Sequence, residues 1–233
     1  MTREQTPEES LSQRRMAVTK LGASLRAAIA ASAVSDVPVA QLAEASALAD
    51  RLAAVLSARV RPTGAVSSLD DLDNGTRYFS PVSGEASPMA PPLRFEVEGD
   101  ATLTRTVLDT RYEGPPGFVH GGFTAMMFDE VIGRALYISN RFGMTARLDV
   151  SYRGPVPIGV PIELRGWIVS IEGRKTRTAG TVTTVADPST VLAEAEGLFI
   201  EPRQEKLADY FGGLVDANGE PVTAKAWGEL AHD

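Results

Sequence analysis

The sequence predicts an α+β fold: a long helix laid on an antiparallel sheet, with a helical extension ahead of both. Three observations carry this. One apolar helical run extends from about Gly122 to Ile138 and is opened by a Gly/Pro-rich loop. Four strand-like runs follow it, near 145–153, 161–171, 175–186 and 190–201, with turn signals at Gly173 and Asp187-Pro188. The first sixty residues are helical. A helix followed by a meander of long strands buries its apolar face as two layers around one core. For 233 residues, one core of ~100–150 residues plus an extension is the natural division. The expected boundaries are a helical extension and linker at 1–75, the α+β domain at 76–203 and a polar tail at 204–233.

The elements follow in order. Thr6-Pro7-Glu8-Glu9 reads as a capping box with Pro at the first helical position. Leu21, Leu25, Ala28 and Ile29 then recur at helical spacing. Ser35-Asp36-Val37-Pro38 breaks this run and starts a second helix, striped by Leu42, Ala45, Ala49, Leu52 and Leu56. Two amphipathic helices joined by a short turn are expected to form a helical hairpin. It would pack on the core, on a second subunit, or over a substrate entrance, with plain packing favoured. Residues 61–92 carry Pro, Gly, Ser and Asp without period and read as a linker with one short ordered piece near Tyr78 and Phe79. Leu93, Phe95 and Val97 alternate with charged residues, which predicts a half-buried strand. Gly99-Asp100 turns the chain into a second strand, Leu103 to Leu108.

Bulk properties exclude several functions. The net charge of −7 argues against nucleic acid or an anionic membrane as the main partner. There is no cysteine, so disulfides, thiolate nucleophiles and Cys-ligated metals are out, and a reducing cytoplasmic setting is expected. The first residues are polar and acidic and do not read as a signal. The longest runs of apolar or small residues fall far short of the ~20 needed to span a bilayer. With only His120 and His232, a His-rich metal site is not possible, and neither a metal nor a redox cofactor is expected.

The chemistry concentrates in Pro116-Gly117-Phe118-Val119-His120-Gly121-Gly122 and the helix behind it. The first N–H groups of a helix are unpaired donors at the positive end of its dipole. They suit an anion or a polarised carbonyl, so Gly121 or Gly122 is a candidate oxyanion donor. His120 is a candidate general base, although a His at that place is more often a cap. Asp129 and Glu130 are neighbours and point ~100° apart on a helix. Glu130 has Arg134 four residues on, an exposed pair that accounts for it. Asp129 has only Ala125 and Gly133 at that spacing, so it lacks a counter-charge and has room beside it. Phe123, Met126, Met127 and Phe128 read as core, with an acyl-tunnel lining as the alternative.

This stretch resembles the core motif of the PaaI-like acyl-CoA thioesterases, which have the hotdog fold. In that family a His-Gly-Gly loop opens the central helix and a catalytic carboxylate follows nine residues after the His, where this chain has Asp129. The likeness continues through Thr145-Ala146-Arg147-Leu148-Asp149-Val150-Ser151-Tyr152-Arg153-Gly154-Pro155-Val156-Pro157-Ile158-Gly159, through Glu172-Gly173-Arg174-Lys175, and into the run from Ala193 to Ile200. It covers roughly residues 92–202 and favours the fatty-acyl branch, since the Asn that another branch places six residues before the His is Gly114 here.

The resemblance implies hydrolysis of acyl-CoA thioesters. Asp129 would serve as base or nucleophile and the Gly122 or Gly121 N–H would hold the oxyanion. His120 would orient the loop, and Thr145 would help hold the water or nucleophile. Arg174 and Lys175, with Met126, would contact the substrate. A non-catalytic acyl-CoA-binding protein is the alternative, and a hotdog hydratase is a weaker one because the helix has no His after residue 120. A homodimer or dimer of dimers is expected. Seven residues separate Gly122 from Asp129, ~10 Å along a helix, so one thioester carbon reaches both only if two helices run antiparallel across a two-fold axis.

Overall fold

The strands pair in the order β1-β2-β4-β5-β6-β3, every neighbouring pair antiparallel. They are β1 (Glu96–Glu98), β2 (Ala101–Val107), β3 (Met144–Tyr152), β4 (Pro161–Glu172), β5 (Lys175–Thr184) and β6 (Ala193–Ile200). Among the described residues there are four α-helices: α1 (Leu11–Ala33), α2 (Val39–Ser57), α3 (Gly121–Ile138) and α4 (Gln204–Phe211). This is a computed structural model, and it describes residues 10–71 and 75–215. After α3 the chain enters the sheet at its far edge, so β3 pairs with β6 alone, and β1 forms the other edge. The arrangement is the α+β hotdog order: one long helix against an antiparallel sheet.

α3 contacts every strand from β2 to β6. Its core face carries Thr124, Met127, Phe128, Val131, Ile132, Ala135 and Leu136, all buried. The sheet makes room for it with glycines on three adjacent strands. A Cβ on Gly166, Gly180 or Gly197 would lie 3.0, 2.7 or 2.6 Å from atoms of Ile132. Close packing of this kind leaves no space for even one added methyl.

The N-terminal layer differs from the sequence reading. α1 starts at Leu11, where Ser10 caps it: Ser10 Oγ accepts the Gln13 N–H at 3.2 Å, and Gln13 Oε1 accepts the Ser10 N–H at 2.9 Å. The Thr6–Glu9 capping box lies outside the described residues. α1 docks through Gly22, where a Cβ would meet the Ala86 carbonyl at 2.7 Å. Arg15 donates to the Leu69 carbonyl, and Arg26 to those of Glu85 and Ser87. The two helices do not form a packed hairpin. α1 presents its docking face to the body, and α2 is exposed at every position but Leu52, with Val39 at 82% and Val55 at 72%. Residues 61–92 are no passive linker either. Leu69, Val82, Ala86 and Ala90 are buried there, as is Leu93 just beyond, without any period that the sequence could have shown. Leu93 and Phe95 are committed to that packing, so β1 is shorter than the expected strand. α4 adds a short helix where only a tail was expected, with Leu207 buried. No helix among the described residues is long and apolar enough to cross a membrane.

Candidate active site

The loop before α3 is stitched to its surroundings almost atom by atom. Asp109 grips Arg111 through both carboxylate oxygens, at 2.8 to 3.1 Å, and fixes a short 3-10 turn, Thr110–Tyr112. Burial works against the Asp109 charge, but these bonds outweigh it and hold its carboxyl below the usual range. Burial likewise pushes the Tyr112 phenol up to about 12, and its hydroxyl donates to the Met89 carbonyl at 3.1 Å. The Tyr112 ring meets Phe123 edge-on at 4.5 Å. Beyond the turn, Gly117 N–H donates to Glu113 Oε1 at 2.6 Å, Val119 N–H to the Val156 carbonyl at 2.8 Å, and His120 N–H to the Tyr112 carbonyl at 2.8 Å.

His120 is the N-cap of α3. Its Nδ1 accepts the Gly122 N–H at 3.0 Å. Its carbonyl accepts the N–H groups of Phe123 and Thr124 at 2.9 and 3.2 Å. Of the four N–H groups at residues 120–123 that lack a regular helical partner, those of His120, Gly122 and Phe123 are thus satisfied. A ring nitrogen that accepts carries no proton, so this cap requires neutral Nδ1. The Gly122 N–H, one of the two expected oxyanion donors, is therefore already occupied. Among the described residues the Gly121 N–H has no hydrogen-bond partner, and it is the donor left open at the helix start.

Asp129 sits half-buried on α3. Thr145 Oγ1 donates to its Oδ1 at 2.8 Å, and among the described residues no cation pairs with it. The aim of Thr145 comes from a bulge. β3 pairs Thr145 with Phe199 and then Arg147 with Leu198, leaving Ala146 extra. Phe199 faces the core, so Thr145 faces α3 while Arg147 turns to the outer face. Bulges re-aim side chains in this way. Glu130 behaves as expected in its partner and not in its exposure. It pairs with Arg134 at 3.3 Å, half-buried, and also accepts the Ser83 hydroxyl at 2.8 Å.

The remaining candidates lie elsewhere. Met126 packs against the core cluster. Arg174 and Lys175 flank the β4–β5 turn beyond the far end of α3, where Arg141, just past that helix, donates to the Gly173 carbonyl at 2.6 Å. Arg174 is tied to the Glu201 carbonyl at 2.7 Å, and Lys175 is exposed. Gly121 and Asp129 are eight residues apart on one helix, which is ~12 Å. One chain thus presents the open donor and the open carboxylate but does not converge them. The residue missed by sequence reading is Tyr152, whose hydroxyl donates to the Gly121 carbonyl at 2.7 Å. Its only signal was an aromatic at the end of the run 145–153.

Comparison with known proteins bears on these features. The thioesterase superfamily model matches residues 116–189, from the loop through the β5 hairpin. The acyl-coenzyme A thioesterase THEM4 of Xenopus laevis is 41% identical over 90 residues, 38% of this chain and 40% of that protein. Its Mus musculus counterpart is 37% identical over 94 residues, 40% of each chain. The matched stretch spans about 40% of the length of these relatives. A solved thioesterase superfamily protein is 31% identical, with a TM-score of 0.70, and the match covers 84% of this chain and 97% of that one. Sequence, fold and a near-complete structural match agree, and the chain belongs to the thioesterase superfamily.

Proposed function

We propose that the protein hydrolyses acyl-CoA thioesters to a free acid and coenzyme A. The observation that carries this reading is Asp129. Among the described residues it is a half-buried carboxylate with no counter-charge, one oxygen held by Thr145 and the other without a partner, on the helix whose first turn leaves Gly121 N–H open. A preorganised N–H aimed at developing negative charge is often the largest catalytic term. In the base route, Asp129 takes a proton from water as the water oxygen bonds to the thioester carbon. The carbonyl electrons move to the oxygen held by Gly121 N–H. Their return breaks the C–S bond, and the thiolate leaves and is protonated. In the nucleophile route, Asp129 attacks the carbon itself, the C–S bond breaks and the thiolate leaves to give an anhydride, and water then opens that anhydride at the Asp129 carbonyl, so that an Asp129 oxygen departs with the acid.

Convergence requires a second copy. Two α3 helices antiparallel across a two-fold axis bring Asp129 of one copy beside the Gly121 end of the other. The strip of Gly122, Ala125 and Gly133 beside Asp129 is small enough to admit such a neighbour. Names of the relatives support the acyl-CoA substrate.

Thiol release from a panel of acyl-CoA esters tests the reading. The wild type should turn over. Asp129→Asn should lose roughly 10²–10⁴-fold in kcat, the usual worth of a positioned acid or base, with an unchanged circular dichroism spectrum. A folded Asp129→Asn protein with near-normal turnover would overturn the assignment. A wild type that binds acyl-CoA without releasing thiol would favour the non-catalytic reading. Single turnover in ¹⁸O-water separates the routes, because only the nucleophile route moves an Asp129 oxygen into the product.

A further inference from the structure

Besides the helix's own bond from the Ala125 N–H to the Gly121 carbonyl, the two peptide groups that open α3 are held by four hydrogen bonds, and one of them comes from a distant strand. The first peptide joins His120 to Gly121. Its carbonyl accepts from Phe123 and Thr124. In a planar trans peptide the N–H points opposite to the carbonyl, so these two bonds turn the Gly121 N–H away from the helix, toward the open end. The second peptide joins Gly121 to Gly122. Its N–H donates to His120 Nδ1 at 3.0 Å and its carbonyl accepts the Tyr152 hydroxyl at 2.7 Å. Gly121 lies between the two planes, so its φ and ψ are set when both planes are set. Among the described residues, the only polar group of these two peptides left without a partner is the Gly121 N–H.

The side chain of Tyr152 also explains why residue 121 is glycine. A Cβ there would lie 3.3 Å from Tyr152 Cζ and Oη, and 3.4 Å from Cε1. That is tighter than ordinary contact, so an added methyl would push the ring back by a few tenths of an ångström. The φ of Gly121 requires no glycine, since it is not among the positive-φ residues.

We infer that Tyr152 is a positioning residue for the reaction: its hydroxyl clamps the Gly121–Gly122 peptide and thereby fixes the Gly121 N–H as oxyanion donor. This rests on the thioesterase reading above. Tyr152 is 52% exposed and ends the edge strand β3. A phenol at such a place contributes little to the core, so its effect on chemistry and its effect on folding should separate.

The variant is Tyr152→Phe, which removes one oxygen and keeps the ring. An oxyanion interaction acts in the transition state and not in the ground state, so the loss should fall on kcat with KM unchanged. Loss of one net hydrogen bond is roughly 0.5–1.5 kcal/mol, which corresponds to a fall of about 2- to 15-fold in kcat. The melting temperature should stay within about 2 °C. A structural role would instead lower the melting temperature or raise KM. The second readout needs no catalysis: amide exchange at Gly122, measured by NMR, should speed up in Tyr152→Phe, because the peptide's carbonyl keeps only the bond from the Ala125 N–H and loses the one from the phenol.

Gly121→Ala should reproduce the exchange effect by pushing the ring away, and the double variant should be less than additive. Normal kcat in Tyr152→Phe beside a dead Asp129→Asn overturns the clamp alone. Unchanged Gly122 exchange overturns it whatever the enzyme does. Absence of thiol release in the wild type overturns the thioesterase reading and leaves the exchange measurement to decide the clamp.

Discussion

At the scale of single residues, the site is a set of bonds that each leave one group open. Thr145 takes one oxygen of Asp129 and leaves the other free. His120 takes the Gly122 N–H and leaves Gly121 free. A bond to a charged group is worth about 1.5–3 kcal/mol, so Thr145→Val should cost roughly 10–100-fold in kcat. Thr145→Ser keeps the donor and should recover most of it. Steady-state thiol release measures both, and equal losses in Val and Ser would mean that the hydroxyl is not what matters. Part of this was legible from the sequence. Asp129 lacks a counter-charge at helical spacing while Glu130 has Arg134, and those two facts are local. The choice between Gly121 and Gly122 was not legible, since it depends on which ring nitrogen of His120 faces which N–H. Tyr152 was not legible either, because its bond to Gly121 spans 31 residues of chain.

At the scale of elements, regular periodicity was readable and irregular packing was not. α3 and the four long strands announce themselves by spacing, and their boundaries fall within a few residues of expectation. The layer from 61 to 95 does not, because its buried residues recur at no fixed interval. That layer nevertheless covers one flank of α3, through Ser83 on Glu130 and the Gly75 carbonyl on Arg134. α1 in turn holds the layer down at Gly22 and Ala86. Gly22→Leu should lift α1 away, since the obstructing atoms are backbone and cannot move aside. Overpacking of this type costs about 1–3 kcal/mol. Hydrogen exchange through α1 should accelerate while the β4–β5 ladder stays protected. Unchanged exchange in α1 would refute the docking described here.

At the scale of the whole molecule, the proposed site belongs to two copies. Asp129→Asn and Gly121→Val should each be inactive alone. Mixed and allowed to exchange, they should form hybrids with one intact site, and a random mixture should recover roughly a quarter of wild-type activity, as half the dimers are hybrid and each has one of two sites. Native mass spectrometry confirms that hybrids form. Hybrids that form and stay inactive, or a native enzyme that is active as a sedimenting monomer, would end the shared-site proposal.

β3 gives this a last consequence. It is an edge strand, held by β6 alone, yet it carries Thr145 near one end and Tyr152 at the other. Edges open at a smaller free-energy cost than the interior of a sheet. A short peel from either end would release one partner of the chemistry while the interior ladders remained intact. With the roles proposed for Thr145 and Tyr152, such a protein should stop working on warming before it melts. The upper limit of its useful temperature is then set by two bonds at the border of the sheet rather than by the core that α3 fills.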